Sequence, residues 1–212
     1  MLSELKQVVL SIKTHPLSGL LTNMFQDEAF YQAFIEAPAA KSVHHAYLGG
    51  LLEHSLETVA FAEVIADQFP KYVNRELLIT GALIHDCGKI KEYSWHKGID
   101  VTNTGRLFGH IVFGAEIVND YWPLPEPKPA PEIKCELLHM VLSHHGCQEW
   151  GSPQPPKTIN AFALHHADYL SAQIEHFQGV LGGTDKRHNC WTAKDFILGR
   201  RLYRGFLPLE DD

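Results

Sequence analysis

The chain carries at residues 81–89 the sequence Gly-Ala-Leu-Ile-His-Asp-Cys-Gly-Lys, in which an apolar run ends on two ionisable side chains. The apolar residues before His85 follow helical spacing, Asn74 is a suitable N-terminal cap, and Gly88 follows the expected helix end. An imidazole and a carboxylate on the core-facing side of a helix cost several kcal/mol unless they are paired or bound. The pattern therefore predicts a helix over residues 74–86 that ends on a paired or bound His85 and Asp86.

Helical spacing of apolar residues continues in both directions from this segment. No alternating strand pattern exceeds about five residues. Residues 91–107 indicate an irregular loop with room for a short hairpin around residues 99–101. The sequence therefore predicts an all-α fold, a helical bundle. The predicted helices cover residues 2–13, 27–36, 46–68, 74–86, 108–121, 132–145 and 158–178.

A length of 212 residues with 45% hydrophobic content suits one compact domain. We expect a helical N-terminal extension (1–42), a catalytic core (43–178) and a C-terminal strap (179–212). Every second residue from 123 to 131 is proline, which predicts a stiff extended connector. A docking segment for a proline-reading partner is the less favoured interpretation.

The strap is the most basic part of the chain, with six basic and two acidic residues between positions 179 and 207. The favoured interpretation is a segment that packs Trp191, Phe196 and Tyr203 on the core and leaves its charges in water. An arm that contacts a nucleic-acid backbone is the alternative.

Composition excludes several classes of protein. A net charge of -7 argues against indiscriminate nucleic-acid binding. No stretch approaches the ~18 consecutive apolar residues of a membrane span, and the N-terminus lacks a secretion signal, so we expect a cytoplasmic protein. Four cysteines without a C-x-x-C pair argue against a disulfide framework and a thiolate zinc site. The 14 histidines exceed ordinary usage and indicate metal binding instead.

Further polar residues share the apolar, helical setting of His85 and Asp86. Several such groups need a common partner, and divalent cations supply it because imidazole and carboxylate are their normal ligands. Packed helices can project these ligands into one cavity. Two divalent ions with two carboxylates leave a residual charge of about +2, which favours a phosphate-bearing substrate. The additional residues are His54, His110, His144, His145 and Asp168.

These residues fall in ordered motifs that resemble the HD superfamily of metal-dependent phosphohydrolases. Over about residues 43–172, and more weakly over 191–204, the chain resembles the HD domain of YhaM-type 3′–5′ exoribonucleases. The motifs are HHAYLGGLLEHS at 44–55, HDCGKI at 85–90, GHI at 109–111, SHHG at 143–146 with EWGSP at 149–153, and LHHAD at 164–168.

Two features depart from the YhaM-type pattern. That family carries an OB-fold ahead of the HD domain, and the 42 residues before Val43 are too few and too helical for one. We therefore expect a weaker grip on long RNA. The family also usually has a second acidic residue three positions after the ligand aspartate, where this chain has Ser171.

The resemblance implies a binuclear metal site. His54, His85, Asp86 and Asp168 would hold one divalent ion, and Asp86 would bridge to a second held by His110 and His144. His145 is either a further ligand or a cap of its own helix. Mn²⁺ or Fe²⁺ is the expected metal, with Mg²⁺, Zn²⁺ and Ni²⁺ as alternatives. His165 and Glu53 are expected to orient the ligand imidazoles.

The resemblance also implies a nucleotide or short single-stranded nucleic acid as substrate, without stable duplex binding. Asp86 and Lys89 are the expected catalytic residues, with the Lys89 ammonium on the phosphate. Weaker candidates for substrate contact are Arg106, Trp150 and His45, whose alternatives are a solvated charge, packing under a loop and a structural role at a helix start. An oligomer is compatible with the sequence.

We expect hydrolysis of phosphodiester bonds in RNA, short oligonucleotides or nucleotides, with 3′–5′ exoribonuclease activity favoured. A cyclic-dinucleotide or nucleotide phosphodiesterase in signalling is the alternative. A mixed-valent di-iron oxygenase of HD fold and a noncatalytic nucleotide sensor are more distant ones.

Overall fold

The computed structural model describes residues 1–41, 45–124, 131–183 and 190–205, and these residues are mainly helical. The predicted all-α fold is confirmed, since the described strands form one two-stranded hairpin. The helices are α1 (Leu2–Ser11), α2 (Leu17–Gln26), α3 (Glu28–Glu36), α4 (Gly50–Gln68), α5 (Arg75–Ile84), α6 (Lys89–Glu92), α7 (Asn103–Tyr121), α8 (Pro131–Ser143) and α9 (Ile159–Gly182), and the strands are β1 (Tyr93–Ser94) and β2 (Asp100–Val101).

Side-chain caps explain where several of these helices begin. Asn74 accepts a hydrogen bond from the Leu77 amide at the start of α5, as the sequence predicts. Thr102 accepts from the Gly105 amide and starts α7 five residues earlier than expected. Each cap satisfies a backbone amide that the helix itself leaves without a partner.

Helices α4 and α5 form the centre of the bundle. Helix α4 packs against α3, α5 and α9, and α5 packs also against α2, α8 and α9. The core between them is apolar and closed to solvent, as Leu51, Leu78 and Leu83 show with no exposed surface. Because α5 is covered on all these sides, a polar residue at its C-terminal end is buried among the other helices.

Two of the described helices were not predicted from the sequence. Helix α2 lies in a segment for which the sequence analysis predicts no helix. It forms because Leu17, Leu20 and Leu21 lie on one face and are buried in the core. Helix α6 lies in the expected loop; it is only four residues long and packs against α7.

The C-terminal segment does not pack as predicted. Phe196 is fully exposed, while Trp191 and Tyr203 are about half exposed and contact each other with ring centroids 5.2 Å apart. The prediction that Phe196 packs on the core is therefore wrong. The aromatic pair holds two parts of the segment together instead.

Several sequence predictions fall partly outside the described residues. Most of the proline connector, residues 125–130, and the basic residues Lys186 and Arg187 of the strap lie there, as does His44. Among the described helices, none is long and apolar enough to cross a membrane.

Candidate metal centre

Five helices contribute imidazoles and carboxylates to one cluster at the centre of the bundle. Asp86 is at its middle and is 2% exposed, while His54, His85 and His144 are buried to a similar degree. The cluster contains His54 from α4, His85 and Asp86 directly after α5, His110 from α7, His144 and His145 directly after α8, and Asp168 from α9.

The carboxylate of Asp86 divides this cluster into two halves. Its Oδ2 atom lies 3.3 Å from His85 Nε2 and 3.6 Å from His54 Nε2. Its Oδ1 atom lies 3.3 Å from His110 Nε2 and 3.5 Å from His144 Nε2. One carboxylate therefore faces two different pairs of imidazoles with its two oxygens.

The half around Oδ2 is completed by Asp168. The Asp168 Oδ1 atom lies 3.0 Å from His54 Nε2 and 3.6 Å from His85 Nε2. The two imidazole Nε2 atoms lie 3.3 Å apart. Four ligand atoms of the kinds that divalent cations prefer thus converge on one point.

Backbone carbonyls fix the orientation of three imidazoles. A carbonyl oxygen can only accept, so the Nδ1 atoms of His85, His144 and His145 carry the proton and donate to it. The acceptors are Ala82, Val141 and Trp150, at 2.9, 2.7 and 2.7 Å. This tautomer leaves the Nε2 lone pair free to bind a cation.

Close approach of α7 to the loop after α5 brings His110 to Asp86. A Cβ atom at Gly88 would lie 1.9 Å from the His110 carbonyl oxygen, so only glycine allows this contact. Gly109, with φ of 72°, breaks the helical conformation of α7 immediately before His110. The sequence analysis explains Gly88 as the residue that ends a helix, whereas in the structure its missing side chain lets α7 pack closely.

Side chains behind the imidazoles were partly missed by the sequence analysis. Glu92 Oε2 lies 3.2 Å from His110 Nδ1, and Ser171 Oγ lies 3.2 Å from His54 Nδ1. Ser171 in turn donates to Glu57 Oε2 at 2.7 Å. Helical spacing was the available signal, because Glu57 follows His54 by three residues and Ser171 follows Asp168 by three.

His165 contacts the backbone beside a cluster imidazole. Its Nδ1 atom donates to the carbonyl oxygen of His144 at 2.7 Å. Glu53, the other residue predicted to orient a ligand imidazole, accepts a hydrogen bond from the Tyr47 hydroxyl at 2.7 Å. Being one residue before His54 on α4, it points about 100° away around the helix.

The protonation equilibria of Asp86 and His145 favour cation binding, whereas that of His85 opposes it. Burial alone raises the pKa of the Asp86 carboxyl, but the Lys89 ammonium and the His85 ring hold that pKa well below its ordinary value. Burial, with the neighbouring His144, lowers the pKa of His145 to about 4. The pKa of His85 is raised, since the two carboxylates outweigh its burial. A cation would displace that proton from His85.

Buried atoms without partners test whether the cluster fits metal ions. Among the described residues, Asp86 Oδ1, His110 Nε2 and His144 Nε2 are buried and make no hydrogen bond. An unsatisfied buried polar atom costs about 1–3 kcal/mol. The two imidazole nitrogens lie 3.3 and 3.5 Å from Asp86 Oδ1, so the three atoms need a shared partner. A divalent cation satisfies all three, so the residues fit it.

A cleft of about 230 Å³ opens onto the cluster. Asp86, Asp168 and His145 line its floor together with Lys89, whose ammonium is bonded to Asp86 Oδ2. Trp150 and Tyr169 also line it and are each about half exposed. The cleft therefore connects the charged centre with two aromatic rings at the surface.

Two residues predicted to contact substrate lie elsewhere. The Arg106 guanidinium is bound to Asp100 Oδ1 at 3.1 Å in the hairpin and does not line the cleft. His45 is 2% exposed and lies behind His54, where its Nε2 atom is 3.2 Å from Glu57 Oε2. Neither side chain lines the cleft, so their contact with substrate stays a prediction.

The chain is similar to known proteins over most of its length. Residues 51–173 match the family described as HD domain. The chain is 33% identical over 210 residues to the 3′-5′ exoribonuclease YhaM of Bacillus licheniformis, which covers 96% of this chain and 62% of that protein. It is 34% identical over 193 residues to YhaM proteins of Listeria welshimeri and Listeria monocytogenes, covering 87% of this chain and 57% of each relative.

The chain thus spans about three-fifths of the length of these relatives. No solved structure matches the chain significantly. The match to the HD domain covers more than half of the chain and includes His54, Asp86, His110, His144 and Asp168. The chain therefore belongs to the HD-domain family, as the resemblance in its sequence predicts.

Proposed function

We propose that the protein is a metal-dependent phosphodiesterase that hydrolyses RNA or short oligonucleotides, with removal of nucleotides from the 3′ end as the favoured reaction. The observation that carries this proposal is the position of Asp86, whose two carboxylate oxygens face two separate sets of imidazoles. Such a bridging carboxylate suits a pair of divalent ions.

Each half of the cluster would hold one ion. His54, His85 and Asp168 would hold the first with Asp86 Oδ2, and the second would be bound by Asp86 Oδ1 with the ligands His110, His144 and His145. When bound, such ions supply positive charge for the phosphate oxygens and acidify the water that attacks phosphorus. Mn²⁺ or Fe²⁺ suits this mixed set of imidazoles and carboxylates.

Lys89 would place the substrate phosphate. Its side chain is mostly buried, its ammonium is anchored on Asp86 Oδ2, and it lines the cleft beside the cluster. An ammonium held by one carboxylate still has two protons to donate. Lys89 can therefore hydrogen-bond to a non-bridging phosphate oxygen from a fixed position.

The choice of RNA as substrate rests on the relatives. The matched proteins carry the name 3′-5′ exoribonuclease YhaM, and this chain spans only part of their length. A net charge of -7 makes long polyanions poor ligands for the body of the protein, which favours short single strands. We propose that residues 1–212 act as a single HD unit on such substrates.

The proposal is tested with freshly purified protein supplied separately with Mn²⁺, Fe²⁺, Mg²⁺ and Zn²⁺. We expect a short single-stranded RNA labelled at its 5′ end to shorten stepwise from the 3′ end as 5′-mononucleotides are released. Asp86→Asn should lower the rate by at least about 100-fold, since one carboxylate serves both halves of the cluster. Asp67→Asn, an exposed carboxylate on α4, serves as the matched control and should keep the parent rate.

Two further measurements on the same metal-loaded protein, with cyclic dinucleotides as substrate and of oxygen consumption, separate the alternatives. Opening of cyclic dinucleotides without cleavage of linear RNA would identify a signalling phosphodiesterase and overturn the choice of substrate. Oxygen consumption by the iron-loaded protein without phosphodiester cleavage would overturn the hydrolase proposal altogether.

A further inference from the structure

We propose that the exposed indole of Trp150, backed by Tyr169, is a stacking site for the nucleobase next to the phosphate in the cleft. This inference rests on the proposed function, because it names the part of a nucleotide substrate that the cleft holds. It adds a surface that binds the base to a centre in which the proposed metal ions and Lys89 bind the phosphate.

The two rings form an ordered stack at the mouth of the cleft. Their planes are 3° apart and their centroids 5.6 Å apart, which is an offset stacked arrangement. Tyr169 directly follows Asp168 on α9, so the stack is tied to the cluster through neighbouring backbone. With 55% of its surface exposed, Trp150 retains apolar area that a further ring can cover.

The loop that carries Trp150 is held in place at several points. The Trp150 carbonyl accepts a hydrogen bond from His145 Nδ1 at 2.7 Å. Within the loop, the Gly151 amide donates to the Gln148 carbonyl at 2.9 Å, and the Ser152 amide donates to the Cys147 carbonyl at 3.1 Å. The indole is therefore positioned before a ligand arrives, which lowers the entropy cost of binding.

An indole at this place matches the geometry of a nucleotide. Trp150 and Tyr169 line the same cleft as Lys89, Asp86 and Asp168. A phosphate held by Lys89 and the cluster would leave its sugar and base in the same cleft, whose lining includes the two stacked rings. Every base has a π-face, so stacking of this kind accepts all four bases.

The described lining of the cleft also indicates that base identity is not read. Besides the two stacked rings it consists of histidines, aspartates, Lys89 and Ala172, and includes no asparagine, glutamine, serine or threonine side chain. Side-chain amides are common means of reading base edges, and the described lining has none; its one aromatic hydroxyl is that of Tyr169, a ring of the stack itself. We expect the affinities for the four nucleotides to agree within about tenfold.

The test is a calorimetric comparison of adenosine 5′-monophosphate with ribose 5-phosphate in the presence of Mn²⁺. The parent should bind the nucleotide roughly 5- to 150-fold more tightly, the range expected for one stacked base. Trp150→Ala should lose most of this advantage, and Trp150→Phe, which keeps an aromatic ring, should retain part of it. Circular dichroism establishes that both variants are folded.

Phe162→Ala is the matched control. Phe162 is an exposed aromatic residue of α9 that packs on His166 and does not line the cleft. This variant should keep the full preference for the nucleotide. A parent without preference for the base, or an unchanged preference in Trp150→Ala, overturns the stacking site.

Failure of the proposed function has a different signature. A preference for the nucleotide that depends on Trp150, in a protein that cleaves no phosphodiester with any metal, would support the stacking site and reject the hydrolase. Cleavage of RNA by a protein that binds adenosine 5′-monophosphate and ribose 5-phosphate equally would support the hydrolase and reject the stacking site.

Discussion

The hydroxyl of Ser171 lies 3.2 Å from Nδ1 of His54 and joins this imidazole to a carboxylate behind it. Because Ser171 donates its own proton to Glu57 at 2.7 Å, its oxygen accepts the proton of His54 Nδ1. The Nε2 lone pair of His54 is then directed toward Asp168 and Asp86. Ser171 thus links His54 to the Glu57 carboxylate through two hydrogen bonds. It occupies the position where the related family usually has a second acidic residue.

Removal of this relay should weaken metal binding. We expect Ser171→Ala and Glu57→Gln each to reduce Mn²⁺ affinity about 10- to 100-fold, the usual range for a group that orients a ligand imidazole. Ser171→Thr keeps the hydroxyl and should restore most of the affinity. The measurement is titration of metal-free protein by calorimetry, with the visible spectrum of the Co²⁺ form as a second readout.

Ser55→Ala is the control for the relay. Ser55 follows His54 on α4, is fully buried, and its hydroxyl has no hydrogen-bond partner among the described residues. Its removal should leave metal affinity within about twofold of the parent, since no cluster atom depends on it. Equal losses in Ser55→Ala and Ser171→Ala would show that a general packing defect is responsible.

The sequence predicts the ligand cluster better than its surroundings. His85 and Asp86 stand out because polar groups in an apolar helical run need a partner, and this reasoning requires no tertiary structure. The position of Arg106 depends on Asp100 in the folded hairpin, and the packing of α6 depends on contact with α7. Both contacts depend on how the hairpin between α6 and α7 folds, which local spacing does not determine.

Loss of one half of the cluster should leave the other half able to bind metal. We expect two Mn²⁺ ions per parent chain and one in His110→Ala, because His110 Nε2 lies on the Oδ1 side of Asp86 and belongs to that half of the cluster. Asp86→Asn should retain fewer than one, since both halves share this carboxylate. Bound metal is counted by mass spectrometry after gel filtration. One ion in the parent, or two in His110→Ala, would contradict the binuclear arrangement.

The contact between Gly88 and α7 should be sensitive to a single methyl group. In Gly88→Ala the new Cβ would lie 1.9 Å from the His110 carbonyl oxygen, so the backbone must move. We expect the free energy of unfolding to fall by about 1–3 kcal/mol, and one bound metal ion to be lost as His110 shifts away from Asp86. Urea denaturation and metal counting measure the two effects.

Gly179→Ala is the contrasting substitution. Gly179 lies within α9 and its Cβ would meet no atom within 4 Å. Alanine is favoured over glycine in a helix interior by up to about 1 kcal/mol, so this variant should be slightly more stable than the parent. A similar loss of stability in both variants would refute a specific role for the Gly88 contact.

A carboxylate far from the cluster should make stability depend on acidity. Glu76 at the start of α5 accepts hydrogen bonds from the Lys13 and Thr14 amides at 3.0 and 2.8 Å, tying the segment after α1 to α5. Burial raises the pKa of Glu76, but these hydrogen bonds outweigh it and hold the pKa below the ordinary value of 4.5. A lowered pKa in the folded state means stabilisation that is present above 4.5 and lost as the pH falls through the folded value.

We therefore expect Glu76→Gln to unfold about 1 kcal/mol more easily than the parent at neutral pH, because hydrogen bonds to a charged acceptor are the stronger kind. The difference should shrink in acid, where the parent carboxylate becomes protonated and resembles the amide. Urea denaturation at pH 7 and pH 3.5 measures it. Glu63→Gln removes an exposed ion pair with Arg75 and should change stability by less than about 0.5 kcal/mol at either pH. A difference for Glu76→Gln that stays constant with pH would mean that the hydrogen bonds act without the charge.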